Sequence, residues 1–445
     1  MSKANLNFDK TNEELLAFLD RSPSAFHAVA NMCEMLKEAG CTRLYEGEKW
    51  NLEAGCGYYV TRNDSALIAF TIPKKDFTGF QIMASHSDSP VFKIKANAEI
   101  EVENQYVKLN VEKYGGMICS TWLDRPLSVA GRVIVRTADG IATKLVNVDR
   151  DLMIIPNLAI HMNRQVNDGY AFNPQKDMLP LFCEAAEKQV KGCFLELIAK
   201  EAGVKAEDIL DTDLFLYNRM TGTLLGADGE FLASPHLDDL QCAFSSLKGF
   251  LAAEPKDSVA VHCVYDNEEV GSGTKQGAES TFLKDVLHRI NTGMGRTEEE
   301  YLTALASSFM VSADNAHAIH PNQPDKADPT NRPYLNQGIV IKYSANQKYC
   351  TDAVSAAVFK TICEKAEVPY QVFLNRSDIL GGSTLGNISG TQVALNTVDI
   401  GLPQLAMHSS YETAGSRDTA YLIEAARVLF SGSFAGKGDG NYTIA

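Results

Sequence analysis

The stretch FQIMASHSDSP, residues 80–90, decides the fold. Its first part, Phe80 to Ala84, is an apolar run of strand length, and it stops against Ser, Asp and Pro, which are turn formers. His86 and Asp88 stand one residue apart where that strand runs out. A histidine in a turn is ordinarily only solvated, so its meaning depends on what else falls at strand ends.

On the N-terminal side, YYV (58–60) and ALIAF (66–70) read as further strands. Phe26, Val29, Ala30, Cys33 and Leu36 recur at helical spacing, with Gly40 closing that helix. Thr11 to Glu14 has the form of a capping box before an earlier helix. On the C-terminal side the texture changes. Residues 92–232 are rich in short alternating runs such as VKLNV (107–111) and RVIVRT (132–137), with one helical stretch after Pro180. Beyond them the strand–helix alternation resumes. VAVHCVYD (259–266), FMVSAD (309–314), GIVIKYS (338–344), QVFL (371–374) and LPQLAMH (402–408) read as strands, and 353–366 and 418–431 as helices. Such alternation predicts an α/β domain with a mostly parallel sheet and helices on both faces. Residues 1–91 and 233–445 form it, interrupted by a β-rich insertion at 92–232. The Gly-rich tail FAGKGDGNYTIA (434–445) reads as loose.

The chain has 445 residues, too many for one simple core, which agrees with two domains. A net charge of −15 leaves nothing to track phosphates and excludes nucleic acid as a partner. It also means that an acidic substrate needs a local cation to hold it. No apolar run reaches the ~20 residues of a membrane helix. The N-terminus MSKANLNFDKTNEELL has no apolar signal core, so the expected location is the cytoplasm. Ten cysteines are scattered without a CxxC pair, which speaks against a Cys-based zinc site and for the thiols of a reducing compartment.

Four more polar clusters close strands or apolar runs: SPHLDDLQC (234–242), VYDNEEVGSG (264–273), VSADNAHAIHPN (311–322) and QLAMHSSYE (404–412). In open α/β sheets, sites form at the C-terminal ends of strands. His86, Asp238, Glu269, Asp314 and His408 together supply two imidazoles and three carboxylates. Three carboxylates and one hydroxide balance the charge of two zinc ions, and one bridging Asp would complete a paired centre. Glu268 and Glu269 are neighbours, which point to opposite faces of a strand. Both serve one site only if the chain turns, as Val270 to Gly273 permit. One would then ligate and the other would move a proton; spacing alone does not say which. A ligating His usually donates its other N–H to a carboxylate or carbonyl, and Asp88 is placed to be that partner of His86. His317 and His320 are further candidates for such supporting roles. His262, inside an apolar strand, reads as a satisfied core residue. GGSTLG (381–386) lacks the GK[ST] ending of a phosphate loop, which excludes nucleotide binding.

HSDSP, LDDL, DNEEVGS, SADNAHAIHPN, IKYSANQKY and AMHS, in this order, resemble the M18 metallopeptidases, the aspartyl aminopeptidase family. The resemblance runs from residue 8 to residue 432. It implies a di-zinc aminopeptidase that removes N-terminal Asp or Glu from peptides. It implies one zinc on His86, Asp238 and Asp314, the other on Asp238, Glu269 and His408, and Asp238 as the bridge. It makes Glu268 the general base. It assigns His161, in NLAIHMNR, to the active site of a neighbouring subunit, and Lys342 to the acidic side chain of the substrate. It makes the insertion a dimerisation domain within a tetrahedral dodecamer built from dimers. Asp239 departs from the family's pattern and is read as a non-ligand; SSYETAG (409–415) also varies among relatives. The same ligands would serve an aminopeptidase for neutral residues or a hydrolase of acylamino acids. A non-enzymatic scaffold would be expected to have lost at least one of them.

Overall fold

The computed structural model describes residues 6–185, 190–436 and 441–445. Its centre is a nine-stranded mixed sheet. In spatial order the strands are Thr42–Leu44, Cys56–Arg62, Ala66–Ile72, Val259–Tyr265, Phe80–His86, Phe309–Ala313, Asn396–Gly401, Ile339–Lys342 and Tyr370–Phe373. Phe80–His86 lies between Val259–Tyr265 and Phe309–Ala313 and runs parallel to both. All seven of its residues are buried, so both of its faces must be covered. Met83 joins the core under helices Phe8–Asp20, Ala25–Glu38, Leu237–Leu251, Ala353–Ala366 and Asp418–Ser431. Ile82 and Ala84 point the other way, into the core under Phe282–Gly293 and Glu298–Ala306. The two-residue period of the strand therefore divides its side chains between two helical layers.

A second sheet of six antiparallel strands is built only from residues between Val91 and Asn218, around its own apolar cluster. A third sheet joins Thr223–Leu225, Phe231–Ser234, Glu412–Gly415, Pro403–Leu405 and Ala316–His317. It ties the segment before Asp238 to the segment after His408.

Several local readings change. The first helix starts at Phe8, with the Asn7 side chain accepting the Lys10 N–H at 3.1 Å, so Thr11 to Glu14 lie inside it and cap nothing. Pro180 is followed by the strand Leu181–Glu184; the helix comes later, at Cys193–Ala202. The central-sheet strand near 400 is Asn396–Gly401, and only Pro403–Leu405 of the expected 402–408 strand is extended, in the third sheet. Asp399 interrupts the apolar pattern of that strand. It is fully buried because Thr384 Oγ1 and the Cys350 N–H both donate to it at 2.6 Å. The tail is not loose throughout: Phe434–Gly436 pairs antiparallel with Tyr442–Ile444, and residues 437–440 lie outside the described residues.

Candidate metal centre

The parallel strands deliver their last residues to one edge. His86 ends its strand and pairs in register with Tyr265, so the turn after Tyr265 starts beside it. That turn begins at Asn267, whose φ of 63° is left-handed, and continues as a single 3-10 turn, Glu268–Val270. The backbone therefore reverses at Asn267, before the glutamates, rather than only at Gly271 to Gly273. Asp314 follows the adjacent strand Phe309–Ala313. Asp238 enters at the start of Leu237–Leu251, with non-helical backbone angles and a cis peptide to Asp239. His408 comes from the loop after Pro403–Leu405, with φ 66°.

These side chains converge. Asp238 Oδ1 lies 3.6 Å from His86 Nε2, and Asp238 Oδ2 lies 3.5 Å from His408 Nε2. His86 Nε2 is 4.0 Å from Asp314 Oδ1, and His408 Nε2 is 3.4 Å from Glu269 Oε2. Ligand-type atoms of His86, Asp238, Asp239 and Asp314 lie within 4.8 Å of one another, as do those of Asp238, Glu269 and His408, and those of His86, Glu268 and Glu269.

Both imidazoles are oriented by carbonyls. His86 Nδ1 is 3.0 Å from the Asp88 carbonyl, and His408 Nδ1 is 2.6 Å from the Gly116 carbonyl. A carbonyl only accepts, so each Nδ1 carries a proton and each ring aims Nε2 at Asp238, the atom that offers a lone pair to a metal when the ring is neutral. The Asp88 carboxylate stands 3.4 Å from His86 Nδ1 and has a larger task. It accepts the Tyr114 hydroxyl at 2.7 Å and the backbone N–H groups of Glu268 and Glu269, each at 3.1 Å. Asp88 thus fixes the glutamate turn with its side chain and His86 with its main chain. Asp239 Oδ2 accepts the His86 backbone N–H at 3.1 Å.

Without a cation this arrangement is unfavourable. Burial, then neighbouring carboxylates, pushes Glu269 well above the usual carboxylate range. Burial also raises Glu268 to about 8 and Asp314 to about 6. Asp238 Oδ1 is buried and accepts no hydrogen bond. Imidazole and carboxylate donors facing one another beyond hydrogen-bond distance, with an orphaned buried oxygen among them, fit a metal cation, and this donor set suits zinc.

A cavity of about 200 Å3 opens on these groups, with Glu268, His317, Lys342 and Ser383 in its wall. Lys342 is 2% exposed and is the only permanently cationic side chain of that wall among the described residues. Its ammonium donates to the carbonyls of Asp314 at 2.7 Å and Asn315 at 3.2 Å. His161 is exposed and does not line the cavity of its own chain. His320 is exposed and accepts the Asn322 N–H at 3.2 Å. His262 is half satisfied: Nδ1 meets Ser246 Oγ at 2.7 Å, while Nε2 is buried without a partner.

Sequence reasoning missed Tyr114, Gly115 and Gly116, which reach the site from the end of a strand of the second sheet. Gly115 has φ 79°, and a Cβ there would stand 3.2 Å from Glu269 Cβ. It also missed Glu412, which binds the backbone of two site residues.

The family model for aminopeptidase I zinc metalloproteases (M18) matches residues 18–430. A probable M18 family aminopeptidase 2 from Clostridium acetobutylicum is 48% identical over 428 residues, covering 94% of this chain and 98% of the relative. The cryo-EM structure of the Ape4 and Nbr1 complex shares the fold at TM-score 0.92 and 36% identity, covering 96% of this chain and 88% of that one. The Saccharomyces cerevisiae mApe1 dodecamer matches at TM-score 0.83 and 26% identity, covering 95% and 96%. With the family's pattern matched across nearly the whole chain and a site built for a metal cation, the protein belongs to the M18 family of aminopeptidases, which are zinc metalloproteases.

Proposed function

We propose that the protein is a di-zinc aminopeptidase that removes acidic N-terminal residues, Asp and Glu, from peptides. One observation carries the two-ion reading: the two oxygens of Asp238 face two different imidazoles, His86 at 3.6 Å and His408 at 3.5 Å. His86, Asp238 and Asp314 would hold one ion, and Asp238, Glu269 and His408 the other. Zinc at such a site supplies Lewis acidity toward the scissile carbonyl and a nucleophile at neutral pH.

The chain's own groups then have distinct tasks. A Glu268 carboxylate oxygen takes a proton from the attacking water and returns it to the leaving amine. Its pKa, raised to about 8 by burial, marks a group held out of bulk solvent. Asp88 keeps the Glu268 and Glu269 amides in place and so sets the direction of both side chains. Asp239 supports the backbone of His86. Lys342 offers its charge to the side-chain carboxylate of the substrate, in a pocket dry enough for that attraction to outweigh the repulsion of an acidic protein.

The same proposal covers the assembly. Residues 92–232 act as a dimerisation domain inserted between the catalytic segments 1–91 and 233–445. The separate six-stranded sheet, built between Val91 and Asn218, supports this, whereas Thr223–Leu225 and Phe231–Ser234 join the third sheet with strands of the catalytic segment. Leu158, Ile160 and Met162, at 55%, 48% and 73% exposure, flank His161 with apolar surface that a neighbouring subunit would cover. His161 would then enter the neighbour's site and stabilise the oxyanion. The proposed assembly is a tetrahedral dodecamer of such dimers; the likeness to a chain of the mApe1 dodecamer supports twelve subunits. Ten free cysteines support a cytoplasmic location.

The test is a panel of peptides headed by Asp, Glu, Leu and Lys, assayed with and without a chelator. Faster cleavage of Leu-headed peptides would overturn the acidic preference. Activity that survives complete metal removal would overturn the metal mechanism.

A further inference from the structure

Glu412 opens the strand Glu412–Gly415, which pairs antiparallel with Phe231–Ser234 so that Glu412 lies opposite Ser234. The chain leaving Ser234 reaches Asp238 within four residues, and the chain entering Glu412 has left His408 four residues earlier. Sheet register therefore places this carboxylate between two loops that are distant in sequence. It is 2% exposed. One oxygen, Oε2, accepts the Asp238 N–H at 3.0 Å; the other, Oε1, accepts the His408 N–H at 2.7 Å. Each oxygen is thus engaged with an amide, and Glu412 belongs to none of the groups of ligand atoms within reach of one ion among the described residues.

The two amides it binds belong to the pair whose side chains meet at 3.5 Å, Asp238 Oδ2 and His408 Nε2. His408 has φ 66° and Ala406 φ 56°, left-handed values that residues with a Cβ adopt sparingly and that surrounding contacts must hold. The Glu412 bond to the His408 N–H is such a contact. Asp88 does the equivalent for Glu268 and Glu269. The two buried carboxylates divide the work: Asp88 fixes the turn that carries the base, and Glu412 fixes the bridge and its second imidazole.

We propose that Glu412 is a positioning residue for the metal site formed by Asp238, Glu269 and His408, acting by fixing the backbones of Asp238 and His408 with one carboxylate. The proposal rests on the two-ion reading above. Its length is specific to the task. Aspartate is one methylene shorter and reaches only one amide. Glutamine keeps one acceptor and turns an NH2 group against the other N–H, where donor meets donor.

The test compares the full-length wild type with Glu412→Gln and Glu412→Asp. Zinc stoichiometry and affinity are read by competition with a chromogenic chelator, and thermal unfolding is recorded on metal-stripped protein. The expected result is two ions per chain in the wild type, with one of them weakened about 10–100-fold in Glu412→Gln, the range for losing a group that orients a ligand. The other ion, which shares Asp238 but not His408, is weakened less, unfolding of the stripped protein is unchanged, and excess zinc restores kcat. Glu412→Asp should fall between the two. Unchanged affinities in both variants would overturn the proposal. So would equal weakening of both ions, or a lowered unfolding temperature of both stripped variants, because Glu412 would then be a general structural residue. A wild type that binds a single ion would defeat the two-ion reading on its own, and the effect of Glu412→Gln on that ion would still decide the role of Glu412.

Discussion

The Lys342 ammonium donates to the main-chain carbonyl of Asp314 at 2.7 Å and stands 3.7 Å from the carboxylate of the same residue. It also donates to the Asn315 carbonyl, so two of its three donors serve the backbone that presents Asp314. One donor is left, which in the proposed function meets the side-chain carboxylate of the substrate. Lys342→Ala should therefore lower kcat/KM for every peptide, through Asp314. It should lower it at least ~10-fold further for Asp- and Glu-headed peptides, as expected when a charged hydrogen bond worth ~1.5–3 kcal/mol is lost. The ratio of the Asp and Leu rates is the measurement. If that ratio does not change, Lys342 is purely structural.

Asp238 faces both imidazoles, so Asp238→Ala should leave neither ion bound, whereas His86→Ala and His408→Ala should each weaken one site preferentially. Elemental analysis of the purified variants decides this. Two ions retained by the Asp238 variant would rule out its bridging role.

Glu268 and Glu269 share a turn but differ in surroundings: Glu269 approaches His408 at 3.4 Å. Glu268→Gln should reduce kcat by at least ~100-fold, as for loss of a general acid–base group, with zinc content unchanged. Loss of zinc instead would mean that the two roles are exchanged.

His161 is exposed beside Leu158, Ile160 and Met162, which are also exposed. If a neighbour's site needs it, a His161→Ala variant and a Glu268→Gln variant should both be weak alone and regain activity when mixed and reassembled. Each hybrid pairs one intact His161 with one intact Glu268. A fully active monomer in sedimentation would exclude this arrangement.

Metal removal should expose a pH dependence. Burial raises Glu268 to about 8 and Asp314 to about 6, both above the unfolded carboxylate range near ~4. A raised carboxyl holds its proton in the folded state. Its contribution to stability is complete below the unfolded pKa and is lost as pH rises through the folded one. The unfolding temperature of chelator-stripped protein should therefore fall between about pH 5 and about pH 9. The zinc-loaded protein should not follow, because bound cations favour the ionised form. A flat profile for the stripped protein would contradict these shifts.

Sequence by itself determined the parallel core and the edge on which the polar residues gather. Runs such as Phe80 to Ala84 and Val259 to Tyr265 have strand length and end in acids or histidine, and that pattern is local. It also carried the motifs by which the family is recognised. It misplaced the strand Asn396–Gly401, because a buried Asp399 looks polar in sequence and is apolar in effect only once Thr384 and Cys350 satisfy it. Tertiary structure alone decided which groups hold the site residues in place. Asp88 is the partial exception: its nearness to His86 does make its carbonyl the partner of His86 Nδ1, but its carboxylate also binds the amides of residues 268 and 269, which no spacing indicated. Tyr114 and Gly116 arrive from the second sheet, and Glu412 arrives through its register with Ser234. Side-chain type and strand ends are written in short stretches of chain. Hydrogen bonds between loops depend on sheet register and on backbone angles such as the 66° φ of His408, which no short stretch specifies.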